Sequence, residues 1–90
     1  MKVLVTFKVE SFDQWLDGFR AHQAAREAAQ IREIFVGRQA DDECAIVCLF
    51  EAPSEAAFNE FMDKPENVEA GRQAGYVMDS TTITMLEDVM

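Results

Sequence analysis

His22 is the only imidazole in the chain and the first residue to consider for acid or base chemistry. It lies three residues after Phe19 and seven after Trp15, which places it on or beside the inward face of a predicted helix. A side chain there could act as an acid or base that lines a pocket. The alternative is a histidine at the edge of an amphipathic face with its polar end in water, because no carboxylate is placed to orient it.

The two cysteines, Cys44 and Cys48, are interpreted first as buried apolar residues. Within one strand their Cα atoms would lie about 13 Å apart, beyond the roughly 7 Å that a disulfide allows. A zinc site would need further cysteine or histidine ligands, and the chain offers only His22. If Cys48 points into an apolar interior, burial raises the pKa of its thiol and lowers its reactivity. The sequence therefore predicts neither a metal nor a cofactor.

Three aromatic residues, Phe12, Trp15 and Phe19, follow helical spacing on the same predicted helix. Such a stripe could form one wall of an apolar pocket, although aromatic residues at this spacing more often fill a core. Arg32 and Arg38 flank the second predicted strand and could hold a substrate carboxylate or be solvated cations at a strand edge. We therefore predict that the aromatic stripe lines any ligand pocket.

The charge balance excludes several classes of partner. The 90-residue chain carries 17 acidic and 8 basic residues, for a net charge of −9, and its basic residues are scattered. Such a chain repels phosphate backbones and anionic membranes, so no nucleic-acid or membrane partner is expected. Its apolar runs are far shorter than the roughly 18 residues of a membrane span, and Lys8 and Glu10 interrupt the N-terminus before a signal-peptide core forms. We expect one cytoplasmic domain over residues 1–90.

Hydrophobic periodicity predicts four strands and three helical segments. Ser11 and Gln14 form a predicted capping box that starts the first helix at Phe12, and an alanine-rich stretch extends this helix to Ala29. Pro65 begins a separate last helix. The predicted strands cover residues 2–9, 31–38, 44–50 and 80–89, and the predicted helices cover 12–29, 54–62 and 65–74. The order βαββαβ predicts an α+β, ferredoxin-like domain, with a four-stranded antiparallel sheet and helices on one face.

The third predicted strand, from Cys44 to Phe50, has no polar residue on either face. Helices of a ferredoxin-like domain cover only one face of the sheet, so the other face needs a second cover. We expect Ile46, Cys48 and Phe50 to lie on the open face and to pack against a second copy of the chain. The same face would carry Leu4, Thr6, Phe35, Thr82, Thr84 and Leu86. The sequence therefore predicts a homodimer through the open sheet face.

The chain resembles the dimeric α+β barrel superfamily, which includes antibiotic-biosynthesis monooxygenases, haem-degrading oxygenases, muconolactone isomerases and polyketide cyclases. The resemblance covers essentially the whole chain. It rests on the element order, the apolar third strand, the helix break at residues 61–65 and the segment Ala74-Gly75-Tyr76-Val77. The chain is most similar to the small, uncharacterised members of the group. The resemblance implies a dimeric α+β barrel and a small apolar or aromatic metabolite handled without a cofactor.

The resemblance also implies two polar site residues. Asn59 stands on the second helical region, as an asparagine does in the cofactor-free monooxygenases, but Asp63 replaces their tryptophan a turn later. Tyr76 is similar to the tyrosine that the cyclases place near the end of the second helix, while threonines of the last strand stand where their histidine would follow. With His22, these two residues are the catalytic candidates.

Two classes of function are open at this point. In the first, a cavity between helices and sheet binds a small apolar or aromatic metabolite, and the protein is a cofactor-independent monooxygenase, isomerase or cyclase. In the second, it is a non-catalytic small-ligand-binding or stress-associated homodimer. A cavity of about 300 Å³ or more that exposes His22 or Tyr76 favours the first class, and an interior filled by side chains argues against it.

Overall fold

The structure, a computed structural model, describes residues 1–90 as a four-stranded antiparallel sheet with four helices on one face. The strand order is β2-β3-β1-β4, which confirms the predicted ferredoxin-like βαββαβ architecture. None of the helices has the length and apolar character that a membrane crossing requires. The elements are β1 (Lys2–Lys8), α1 (Phe12–Ala21), α2 (Gln23–Ala28), β2 (Arg32–Gln39), β3 (Asp42–Glu51), α3 (Glu55–Asp63), α4 (Pro65–Gln73) and β4 (Thr82–Leu86).

The first helical region consists of two helices, so the predicted continuous helix to Ala29 is wrong. Its start is as predicted, because the Gln14 backbone N–H donates to the Ser11 hydroxyl across 3.3 Å. α1 ends one residue before His22, whose backbone adopts φ −95° and ψ 10° and forms the C-terminal cap. α2 follows at once and buries Arg26. The helix propensity of the alanines favours continuation, but propensity is a weak term that tertiary packing overrides.

The side of β3 that faces the helices is the opposite of the predicted one. The antiparallel register sets Val5 beside Cys48 and Val3 beside Phe50, and all four side chains are buried in the core under the helices. Ile46 shares that side, so the prediction that Ile46, Cys48 and Phe50 lie on the open face is wrong. The physical reason is register, because directly paired residues point to the same face of a sheet and the partners of Cys48 and Phe50 are the buried valines of β1.

The open face of the sheet carries the alternate side chains. Leu49 of β3 lies between Leu4 of β1 and Phe35 of β2, and Phe35 is 54% exposed. Thr6 of β1 is paired with Thr82 of β4. The face is therefore a mixture of apolar and hydroxyl-bearing side chains. Its apolar centre consists of the β3 side chains that alternate with the buried ones. We define the open face as Leu4, Thr6, Phe35, Val47, Leu49, Thr82, Thr84 and Leu86.

The last strand is shorter than predicted, spanning Thr82–Leu86 instead of residues 80–89. The Ser80 hydroxyl accepts a hydrogen bond from the Lys8 backbone N–H at 3.0 Å and donates to the Val77 carbonyl at 2.6 Å. These bonds hold a turn before the strand begins. Alternation of side chains does not reveal such a turn, because a serine also fits the polar positions of a strand.

Helices α1 and α4 approach closely at Gly18. A Cβ atom at this position would lie 2.9 Å from the Cβ of Ala74, which is closer than packed carbon atoms come. Beside this contact, Gln14 Nε2 donates to the Gln73 carbonyl at 2.9 Å instead of reaching back to its own N-cap. Gln73 ends α4, so the bond also satisfies a carbonyl that the helix leaves free. Gly18 therefore sets how closely the two helices pack.

We predict opposite outcomes for alanine substitutions at two helical glycines. Gly71→Ala on α4 should stabilise the fold, because nothing lies within 4 Å of a Cβ there and alanine is the better helix former by about 1 kcal/mol. Gly18→Ala should destabilise it by about 1 kcal/mol, since overpacking against Ala74 exceeds the same gain in propensity. Thermal unfolding measures both effects. A Gly18→Ala protein more stable than wild type would contradict the close helix contact.

Candidate functional site

A cavity of about 160 Å³ lies between the sheet and the helical layer. Val5, Cys48 and Phe50 form its floor on the sheet, and mostly apolar residues of the helices form its walls. The volume is about half the roughly 300 Å³ expected of a ligand pocket, and it is close to the roughly 150 Å³ of a cavity that binds benzene. The interior is thus neither filled nor large, and it has room for one aromatic ring.

Two of the three predicted aromatic wall residues line this cavity. Trp15 is buried, and its ring centroid lies 5.0 Å from that of Phe19 and 5.7 Å from that of Phe7. Phe12 lies outside the cavity, 6.0 Å from the Trp15 ring, with the Arg38 guanidinium 4.1 Å above its own ring. The stripe therefore fills part of the core and forms a wall at the same time.

His22 lines the cavity and is hydrogen-bonded to Asn67 of α4, with 2.6 Å between Nε2 and Oδ1. The Asn67 amide nitrogen donates to the Phe61 carbonyl at 2.7 Å, which turns the amide oxygen toward the histidine. Because that oxygen can only accept, His22 carries a proton on Nε2, and in the neutral ring Nδ1 keeps its lone pair. An amide oxygen, and not a carboxylate, therefore orients the imidazole.

Arg26 also lines the cavity, although arginine is usually solvated. It is 4% exposed, its Nε donates to Glu33 Oε1 at 2.8 Å, and its guanidinium carbon lies 3.6 Å from the Phe19 ring centroid. The sequence feature that predicts the inward position of Arg26 is its spacing from the other lining residues. Trp15, Phe19, His22 and Arg26 follow at intervals of four, three and four residues, which keeps them on one helical face.

Cys48 is fully buried in the floor of the cavity and forms no disulfide. Burial raises the pKa of its thiol to about 12, with the positive charge of Arg26 opposing this shift and the negative charge of Glu33 adding to it. The thiolate is the nucleophilic form of cysteine, so Cys48 is not a nucleophile near neutral pH.

The other two candidate catalytic residues lie outside the cavity. Tyr76 follows α4, pairs with Val9 in an isolated β-bridge and places its ring centroid 6.2 Å from that of Phe7. Asn59 is exposed on α3. No group of three or more His, Cys, Asp or Glu side chains is arranged to hold a metal ion. Of the three candidates, the structure brings only His22 to the cavity.

A larger depression of about 580 Å³ lies at one end of the sheet, beside α2. Its lining is mainly polar and includes Glu27, Arg32 and Glu51. Arg32 is exposed and is ion-paired with Glu51 at 2.6 Å. Ligand pockets are lined mostly by apolar side chains, and this depression is not. The cavity under the helices is therefore the better candidate site.

The fold of the chain is similar to that of solved proteins described as antibiotic biosynthesis monooxygenases. A Caulobacter crescentus protein provisionally described as an antibiotic biosynthesis monooxygenase matches with a TM-score of 0.76 at 19% identity, over 99% of this chain and 89% of that one. SnoaB from Streptomyces nogalater, a cofactor-independent oxygenase, matches with a TM-score of 0.68 at 16% identity, over 99% and 94%. PA3566 from Pseudomonas aeruginosa matches with a TM-score of 0.69 at 13% identity, over 99% and 93%. At these identities the likeness concerns the fold.

Residues 2–88 match the family described as "Domain of unknown function (DUF3764)", and the chain belongs to this family. The match includes every strand and helix, from β1 to β4. No curated protein matches the chain in sequence.

We expect iodoacetamide at pH 8 to label Cys48 far more slowly in the native protein than in denaturant. With a pKa of about 12, only about one thiol in 10⁴ is ionised at that pH. A Cys44→Ser variant isolates the Cys48 signal, and mass spectrometry measures the incorporated label. Native labelling should rise about tenfold per pH unit between about pH 8 and 10, because the thiolate fraction rises in that way. A rate independent of pH would contradict the raised pKa.

Proposed function

We propose that the protein binds a small, single-ring aromatic metabolite in the cavity and acts on it as a cofactor-independent monooxygenase, isomerase or cyclase. The observation that carries this proposal is the 2.6 Å His22–Asn67 hydrogen bond at the wall of an apolar cavity. An imidazole whose Nδ1 keeps its lone pair can accept a proton from a bound ligand. The first step that fits this arrangement is removal of a proton from the bound ligand.

Among these reactions we favour oxygenation, because SnoaB, which shares the fold, is a cofactor-independent oxygenase. His22 Nδ1 would accept the proton of a phenolic hydroxyl, and the electron-rich phenolate would then react with dioxygen. In the overall reaction one oxygen atom enters the ring as a carbonyl, and the other leaves as water with the hydroxyl hydrogen and one ring hydrogen. A phenol thereby becomes a quinone. Asn67 Oδ1 accepts from Nε2 throughout and stabilises the imidazolium.

The size of the cavity restricts the proposed substrate. A volume of about 160 Å³ holds one ring with a small substituent, whereas a fused three-ring molecule does not fit. The Trp15 and Phe19 rings in the wall favour a flat, apolar ligand through aromatic contacts. Single-ring phenols and hydroquinones are therefore the substrates to test.

We expect the protein to consume oxygen with a single-ring phenol or hydroquinone and His22→Ala to lose about 10²-fold or more of that rate, the usual contribution of a general base. Gln23→Ala is the matched control, since this neighbouring side chain is exposed and lies outside the cavity. An oxygen electrode measures the rate, and thermal unfolding shows that both variants are folded. Equal rates in wild type and His22→Ala would exclude His22 as the base.

The second candidate function is a non-catalytic small-ligand-binding or stress-associated homodimer. The positions of Tyr76 and Asn59 outside the cavity favour it, because neither can then assist His22. Binding of phenols without oxygen consumption or isomerisation would support this candidate over the enzyme.

We also propose that two copies of the chain pair through the open face. Phe35 and Leu49 support this proposal, because they place neighbouring apolar side chains on a face that no helix covers. A cytoplasmic location belongs to the same proposal, since the two free cysteines suit a reducing compartment.

Phe35→Lys should convert the dimer to a monomer of 10.2 kDa, because a charge would become buried in the interface without a partner. Val68→Lys on α4 is the matched control, since Val68 is 58% exposed but lies outside the open face. Light scattering coupled to size-exclusion chromatography gives the mass of each protein. A wild-type mass of one chain, or dissociation of Val68→Lys as well, would argue against this interface.

A further inference from the structure

The side chain of Arg26 has an unmet hydrogen-bonding requirement. Its Nη2 is the only buried side-chain nitrogen or oxygen of the chain without a hydrogen-bond partner. The residue is buried and lines the cavity. A buried donor without an acceptor costs free energy, and native structures rarely leave a charged one in that state. This nitrogen therefore points to an acceptor that the chain itself does not supply.

The charge of Arg26, in contrast, is already balanced. Its Nε donates to Glu33 Oε1 at 2.8 Å, and the Glu33 side chain is itself only 21% exposed. A second carboxylate brought into the apolar cavity would add negative charge without a counter-charge, at a large desolvation cost. What Arg26 lacks is an acceptor oxygen, so an uncharged oxygen fits better than a carboxylate.

The other groups of the cavity do not offer that oxygen. The Asn67 amide oxygen is bound to His22, and its amide nitrogen is bound to the Phe61 carbonyl. The Cys48 thiol is a weak acceptor, and the rest of the lining is mainly aliphatic and aromatic. The lone pair on His22 Nδ1 is not within hydrogen-bonding reach of Arg26 Nη2, which has no partner in the chain, so the acceptor must enter with a ligand or a water molecule.

We infer that the ligand of the cavity is a single aromatic ring with an uncharged acceptor oxygen, from a phenol or a ring carbonyl, and that Arg26 Nη2 donates a hydrogen bond to it. The inference rests on the proposed function, because it takes the cavity as the ligand site. It adds the requirement for an uncharged acceptor oxygen and a residue that determines specificity. If the ring loses a proton to His22, the same guanidinium stabilises the charge that develops on the oxygen.

Binding of phenol and toluene, which match in size and differ in the acceptor oxygen, tests the inference. Trp15 is the only tryptophan and lines the cavity, so its fluorescence, excited at the red edge of its absorption, reports binding. We expect wild type to bind phenol about tenfold more tightly than toluene, because one hydrogen bond to a charged group increases affinity by about that factor. Benzoate, the charged counterpart, should bind more weakly than phenol.

Two variants separate the role of Arg26 from that of its ion pair. Arg26→Met combined with Glu33→Gln removes the donor without leaving an unpaired carboxylate, and the preference for phenol over toluene should disappear. Glu33→Gln alone is the matched control and should keep the preference. Should the double variant fail to fold, Arg26→Lys keeps a positive charge beside Glu33 but lacks the guanidinium fork, and it should show the same loss.

The outcomes distinguish the inference from the proposed function. Equal binding of phenol and toluene to wild type, or a preference for phenol that survives in the double variant, would overturn the role of Arg26 and leave the cavity as a ligand site. Tighter binding of benzoate than of phenol would overturn the uncharged class. Binding of none of the three probes would overturn the proposed function together with the inference.

Discussion

Helices α1 and α4 pack most closely where Gly18 faces Ala74, because glycine has no side chain to separate them. This close approach brings His22, four residues further along, within hydrogen-bonding distance of Asn67 on the facing helix. Away from this point, bulky side chains such as Phe19 hold the helices above the sheet. The cavity is the space that this uneven spacing leaves. The packing of two small residues therefore decides both the volume of the site and whether the imidazole has a partner.

Much of the fold could be predicted because the sequence of most elements shows either which face is buried or where the element begins or ends. The alternation in β1, the cap at Ser11 and the break at Pro65 are of this kind, and the βαββαβ order follows from them. β3 carries no such information, because a strand that is apolar on both faces has the same pattern when it is turned over. Its register against Val3 and Val5, a long-range property, decides that Phe50 faces the helices.

The candidate site could be predicted only in part, for a related reason. His22 and the aromatic stripe stand out because their residue types and spacing suffice to place them on an inward face. Arg26 shares that spacing, but its residue type alone predicts a solvated position, and its burial depends on pairing with Glu33 of β2. Asn67 stands 45 residues from His22, and no local pattern connects the two. The part of the site that the sequence could not predict is therefore the pairing of side chains from different elements.

The chain carries a net charge of −9, and the buried cation in its cavity already has its own carboxylate. A net negative charge lowers the local concentration of anions and slows their arrival, while uncharged molecules approach unhindered. A ligand of the proposed site would thus be selected by its charge before it meets any lining residue. For the proposed ligand, attraction or repulsion at the surface would weaken as the salt concentration rises, whereas contacts inside the cavity would not.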